Sequence, residues 1–230
     1  MPMPTQCPSR HTRTSPLCIL LLCVAAIGVG HGWPVQADLS GQLAAYARQH
    51  HGHRAGRAVD SWQQALSQAR GHTELEQLKR INAFWNHSLR QADDNTLWGQ
   101  PDYWATPIES LAKGAGDCED FVIGKYFSLL DLGVDPEKLR LVYVRAEVGG
   151  TRIAHMVLGY YPRPGAEPLI LDSLLDDMLP AQKRPDLTPV FSFNGQGIYA
   201  WGGKRAPVEQ IGRWRNLLDR MHTEGYRRHP

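Results

Sequence analysis

Cysteine is nearly missing from most of this chain. Of its four cysteines, Cys7, Cys18 and Cys23 fall at the N-terminal end, and only Cys118 follows them. Once that end is set aside, an internal disulfide is excluded. A surplus of one charge is missing too. Residues 1–37 hold Arg10 and Arg13 and no acid, so the other 25 − 2 = 23 basic residues face 23 acidic ones. That balance leaves no basic stripe for nucleic acid and no polybasic run for a membrane surface. Beyond residues 17–29 no apolar run approaches membrane-spanning length, and no internal repeat is visible.

What stands at the N-terminus reads as an export signal. Arg10 and Arg13 form a positive start, residues 17–29 an apolar segment too short to span a bilayer comfortably, and Val35-Gln36-Ala37 a small-residue cleavage pattern. The expectation is a signal peptide over 1–37, a mature start at Asp38 and a protein of the periplasm. In an oxidising compartment a lone Cys118 is a candidate nucleophile. Residues 38–59, rich in Gly, Ala, Arg and His, read as a flexible arm. His50, His51 and His53 lack Cys or acidic partners at ligand spacing and read as a solvated loop. Residues 60–230 suffice for one buried domain.

Within that domain the hydrophobic period changes once. A helix is expected over 61–70. Thr73-Glu74-Leu75-Glu76 is a capping box ahead of Leu75, Leu78, Ile81, Trp85 and Leu89 at helical spacing. Asp93-Asp94-Asn95 breaks the pattern, and the aromatic loop that follows carries Trp98, Tyr103 and Trp104. Thr106-Pro107-Ile108-Glu109 is a second capping box, and Gly114 a stop. The helix expected over 118–131 is apolar nearly all round, so it belongs at the centre of the core. Beyond it come short β-rich runs at 139–144, 154–161, 169–172, 190–193 and 198–201, then helical spacing over 208–222. Helices first and strands afterwards give an α+β fold, a central helix packed on an antiparallel sheet.

The chemistry gathers at Gly116-Asp117-Cys118-Glu119-Asp120. A cysteine in the first turn of a helix meets unpaired N–H groups and a partial positive charge that favour the thiolate. The acids beside it oppose this, so a cation is expected close by. The acids are equally explained without one, Asp117 capping the helix and Glu119 and Asp120 favouring its dipole. A thiol also needs a base and a group to orient that base. His155 is polar inside the apolar strand Ala154-His155-Met156-Val157-Leu158, and Asp172 closes the apolar run Leu169-Ile170-Leu171. Asp176 and Asp177 are rivals for the aspartate's role. The Cys118 backbone N–H is the expected oxyanion donor.

These segments together resemble a known family. Asp102-Tyr103-Trp104-Ala105-Thr106-Pro107, Gly116-Asp117-Cys118-Glu119-Asp120, Lys125-Tyr126-Phe127, His155-Met156-Val157-Leu158, Leu169-Ile170-Leu171-Asp172 and Val190-Phe191-Ser192-Phe193-Asn194 occur in this order. The set resembles the bacterial transglutaminase-like cysteine proteinases, the LapG-type periplasmic adhesin proteases, over roughly residues 60 to 205. The resemblance implies a papain/transglutaminase-like core with Cys118 as nucleophile, His155 as base and Asp172 as orienting acid. It further implies Ca²⁺ held by Asp117 and Glu119, with Asp120 as third ligand. The implied substrate is a large surface adhesin, cut near its N-terminus in biofilm dispersal. The implied inhibitor is an inner-membrane cyclic di-GMP receptor. Trp98, Tyr103 and Trp104 either line the substrate groove or pack. Ser173 stands where asparagine is expected, which puts a contact behind Asp172 in doubt. Against this reading stand an exported papain-like cell-wall peptidase, a non-catalytic binding module on the same fold, and a transamidating enzyme.

Overall fold

A computed structural model describes residues 39–200 and 205–226. The expected signal segment lies outside them. The described part of the chain falls in one compact unit, residues 36–230.

The first helix corrects an expectation. α1 runs over Leu39–Ala69, so residues 39–59 are helical where a flexible arm is expected over 38–59. Leu43, Ala44, Ala47, Ala55, Val59, Trp62, Leu66 and Ala69 are all buried along it. Two features hide this pattern in the sequence. Half of the buried positions are alanines, which carry little hydropathy, and Gly52 (φ 86, ψ 174) kinks the helix and shifts the phase of its apolar stripe. Gly56 completes the joint, because a Cβ there would lie 2.0 Å from Arg48 Cγ. Its absence lets the Arg48 side chain pass the kink and pair with Asp60. His50, His51 and His53 are exposed, and His50 stacks on Tyr46.

α2 (Glu74–Ser88) begins at the Thr73 cap, whose hydroxyl accepts from the Glu76 N–H. Where Asp93-Asp94-Asn95 reads as a break, the structure has a short helix, α3 (Asp94–Trp98). The Asp93 side chain accepts from the Thr96 N–H, so the run of acids starts a helix as well as ending a pattern. α4 (Pro107–Lys113) carries the complete Thr106/Glu109 capping box and ends on Gly114 at φ 61. Two-residue strands β1 (Arg90–Gln91) and β2 (Ala115–Gly116) pair in parallel just before α5 (Cys118–Asp131).

The sheet follows: β3 (Leu139–Val148), β4 (Thr151–Tyr160), β5 (Leu169–Leu171), β6 (Leu179–Pro180), β7 (Leu187–Asn194), β8 (Gly197–Ala200) and β9 (Arg205–Ala206). Its order is β6-β5-β4-β3-β7-β8-β9, with every neighbouring pair antiparallel. α6 (Gly212–Thr223) closes the described chain. Residues 120–130 of α5 are all buried, as the all-round apolar pattern requires. The helix packs on β3 and β4 on one side and on α2 on the other. Ser128 fixes it there. Its Oγ accepts from Trp62 Nε1 (2.8 Å) and Trp85 Nε1 (2.9 Å) and donates to the Gly124 carbonyl (2.6 Å). At Gly124 a Cβ would fall 2.5 Å from the Trp85 ring, so the indole lies directly against the helix backbone. A second apolar cluster, Val142, Val144, Ala146, Val157 and Ile170, has Ala181 and Leu187 packed over it.

Candidate active site

Three local features deliver Cys118. Gly114 ends α4, Ala115 and Gly116 are held to Arg90 and Gln91, and Asp117 is extended at the head of α5. Gly116 is required here, since a Cβ would sit 2.7 Å from Asp120 Cβ. Cys118 is the first helical residue, on a helix clamped further along its length, so its position is rigid.

The Cys118 sulfur meets two groups. The Met156 backbone N–H of β4 points at it and favours the thiolate. Its own hydrogen is donated to Glu119 Oε2 at 2.7 Å, rather than to an imidazole. Burial and then the Glu119 carboxylate push the thiol well above the ordinary range, with Asp117 adding to the effect. The structure therefore contains the conflict visible in the sequence: a helix head suited to a thiolate, surrounded by negative charge.

His155 precedes Met156 on β4, which brings it within one strand position of the amide at the sulfur. It is buried, and its Nε2 hydrogen-bonds Asp172 Oδ1 at 2.7 Å. A carboxylate only accepts, so Nε2 carries the hydrogen and Nδ1 of the neutral ring is the basic nitrogen. Asp172 is fully buried. Its Oδ1 also accepts from the Leu174 N–H (3.1 Å), and its Oδ2 accepts from Arg184 Nη2 (2.7 Å). Burial raises the pKa of Asp172, but His155, the Leu174 N–H and Arg184 outweigh this and bring it down to about 2. Of the rival acids, Asp176 bonds Asn86 through Oδ1 (2.8 Å) instead of the imidazole. Behind Asp172 the Ser173 Oγ is buried without a partner, while Asn86 Nδ2 donates to the Asp172 carbonyl (2.9 Å).

The acids at the head of α5 divide differently from the expectation. Asp94, Asp117 and Glu119 bring one carboxylate oxygen each to within 4.8 Å of one another. Asp120 lies beside them, its Oδ1 accepting from the Ala105 N–H at 2.8 Å and its Oδ2 buried without a partner. Asp94 joins Asp117 and Glu119 in the cluster. Asp94 follows the helix cap Asp93, and nothing in its local pattern separates it from a second capping acid. Asp117 makes no side-chain cap bond, so the simple capping account of it fails. Asp117 Oδ1 and Asp94 Oδ1 are buried with no partner. Burial and the neighbouring carboxylates raise both groups above the ordinary carboxylate range. Unpartnered, mutually repelling oxygens of this kind fit a hard cation such as Ca²⁺, which takes oxygen ligands.

The aromatic loop splits between roles. Trp104 is buried and stacks on Phe193 (5.7 Å), so it packs. Trp98 and Tyr103 stand ring on ring at 4.7 Å, with Arg220 over Tyr103 and Lys113 over Trp98. Sequence reasoning missed Arg184 entirely. It sits in a mixed-charge connection that reads as an ordinary turn.

A cysteine heading a buried helix, packed on an antiparallel sheet with a buried histidine–aspartate pair, is the plan of a transglutaminase-like fold. The chain belongs to the bacterial transglutaminase-like cysteine proteinases, whose family model matches residues 46–185. Among solved structures it is similar to LapG of Legionella pneumophila, at 36% identity and TM-score 0.69, over 79% of this chain and 97% of that one. An EGTA-treated form of that protein matches at 35% identity and TM-score 0.71, over 79% and 97% of the two chains. A calcium-bound form matches at 35% identity and TM-score 0.68, over 79% and 98%. Among curated proteins nothing matches.

Proposed function

We propose that this cysteine proteinase is a calcium-dependent endopeptidase of the periplasm that cuts a large surface adhesin near its N-terminus. Cys118 is the nucleophile, His155 the base and Asp172 the acid that orients it. The observation that carries the assignment is the buried His155–Asp172 pair beside Met156, whose amide faces the sulfur. With Nε2–H committed to Asp172, Nδ1 is the nitrogen that can take the thiol proton. The thiol must first turn its hydrogen away from Glu119 Oε2, which accepts it here. The sulfur then adds to the scissile carbonyl, and the Cys118 N–H at the helix head receives the developing oxyanion. His155 returns its proton to the leaving amine, and water activated by the same ring frees the acyl group.

Asp94, Asp117 and Glu119 would hold calcium, and the calcium-bound neighbour supports this choice of ion. When bound, the ion supplies positive charge that offsets the carboxylates crowding the thiol. An inner-membrane cyclic di-GMP receptor is the proposed inhibitor, acting from its periplasmic domain.

The test is incubation of the chain lacking residues 1–37 with a recombinant adhesin N-terminal fragment. Cleavage should vanish with a calcium chelator, return with added calcium, and be absent in Cys118→Ala. Cleavage of peptidoglycan peptides instead, unaffected by chelation, would establish a cell-wall peptidase. Conjugates formed with a supplied amine would establish transamidation. Unchanged activity in Cys118→Ala would leave only a binding role.

A further inference from the structure

Arg184 is a charged side chain that the proposed triad does not use, and it is 6% exposed. It follows the turn Ala181–Lys183 and precedes β7, in the stretch that lies over the second apolar cluster. Backbone bonds hold the stretch at both ends. The Leu187 N–H donates to the Arg184 carbonyl (3.1 Å), and the Glu147 N–H of β3 donates to the Asp186 carbonyl (3.0 Å). The guanidinium is therefore presented from a fixed backbone.

Its bonds are divided between two carboxylates. Nε donates to Asp186 Oδ1 (3.0 Å), and Nη2 donates to Asp186 Oδ2 (2.7 Å) and to Asp172 Oδ2 (2.7 Å). Burying an ion pair gives little net stability, because desolvation offsets the attraction. A stability role therefore accounts poorly for this one. Its geometry accounts for it better. A carboxylate that is free on one side can turn about its Cβ–Cγ bond and offer either oxygen to the imidazole. With Oδ2 tied to Arg184 and Oδ1 shared by His155 and Leu174, the plane of Asp172 is locked.

We infer that Arg184 is a positioning residue of this enzyme: it clamps Asp172 Oδ2, so that Oδ1 is held as the acceptor that fixes the tautomer and direction of His155. Asp186 is the counter-charge that holds the clamp, and it tempers the positive charge reaching Asp172. This inference rests on the assignment of Cys118, His155 and Asp172 above. The imidazole bonds Asp172 at the end of β5, and the charged groups that act on Asp172 in turn are Arg184 and Asp186 ahead of β7 and Lys125 on α5. Lys125 is fully buried and is lowered to about 7 by that burial, partly countered by Asp172 and Asp176. At neutral pH Arg184 is thus the cation that stays charged beside Asp172.

The experiment is ¹⁵N NMR of the imidazoles, with the His155 signal identified by its loss in His155→Gln, alongside turnover of the adhesin fragment in calcium. In Arg184→Met the Nε2–H signal should exchange with water faster. Turnover should fall roughly 10²-fold, the scale set by misplacing a catalytic group by an ångström. Arg184→Lys should recover only part of the turnover, because Lys keeps the charge and loses the fork. Asp186→Asn, at a carboxylate partly open to solvent, should also speed the exchange, because the clamp loses the group that holds it. An unchanged His155 spectrum and turnover within twofold in Arg184→Met would overturn the inference. Should that variant not fold, unchanged Nε2–H exchange in Asp186→Asn would overturn it instead. Full turnover in Asp172→Asn would remove the triad assignment itself. If the wild type leaves the fragment uncut, the imidazole spectra still decide what Arg184 does to His155.

Discussion

The two halves of α5 are built on opposite rules. Around Ser128 the polar groups answer one another: two indole N–H groups converge on one hydroxyl, which is itself tied to the Gly124 carbonyl. Around Cys118 the reverse holds. Asp94 and Asp117 each bury an oxygen without a partner, and the thiol is driven away from the ionised form that chemistry requires. Buried polar groups are ordinarily satisfied, and a site that is not marks either strain or a missing ligand. The contrast separates the residues that hold the helix in place from those that surround the thiol at its first turn. The lower half can hold an unfavourable charge cluster still because it carries none of that cluster's cost.

The largest expected effect separates the halves outright. Cys118→Ala should abolish cleavage of the adhesin fragment, and Asp172→Asn should lower turnover by about 10⁴-fold, the scale for a wrongly held imidazole. Cys118→Ala should leave the melting temperature close to that of the parent or above it. A Cys118→Ala protein that unfolded with its activity would show that the two halves are not independent. From the other side, Ser128→Ala strands two buried indole donors, each costing roughly 1–3 kcal/mol. Urea denaturation should register that loss in full, while per-molecule turnover of the folded fraction stays near the parent value.

The readable part of the molecule follows the same division. Thr106 and Glu109, Gly114, and the apolar run of α5 announce their element because local propensity and tertiary role agree there. His155 stands out as a polar residue in an apolar strand, and Asp172 as an acid closing one; the structure joins them by a single hydrogen bond. What stayed hidden depends on distance along the chain. Asp94 meets Asp117 from 23 residues away, and Arg184 reaches Asp172 across a loop, with no spacing that marks either. The first half of α1 was concealed for a local reason, the phase shift at Gly52.

Calcium should sharpen the comparison from the unsatisfied side. If Asp94, Asp117 and Glu119 are its ligands, the ion binds the folded chain and stabilises it by about 2.7 kcal/mol at 100 times its dissociation constant. Thermal melts with and without a chelator should therefore differ for the parent. They should coincide for Asp94→Asn and Asp117→Asn. A calcium-dependent shift retained in Asp94→Asn would return the third ligand to some other group.

The smallest effect tests whether the scaffold is as free of conflict as Ser128 implies. Glu224 is 4% exposed, accepts from the Thr106 hydroxyl through Oε1 (2.6 Å) and has Oε2 buried without a partner. Burial raises it from 4.5 to about 8. Between those two values the folded chain holds a proton that the unfolded chain has lost, so stability falls as pH rises through the window and levels off above about 8. Glu224→Gln keeps an acceptor for Thr106 and removes the titration. It should leave stability at pH 4.5 near the parent value and raise it above pH 8 by on the order of 1 kcal/mol. Urea curves at the two ends of the window measure the difference directly. Parallel pH dependence in parent and variant would mean that Glu224 is ionised in the fold, and that the scaffold, like the first turn of α5, carries a buried negative charge.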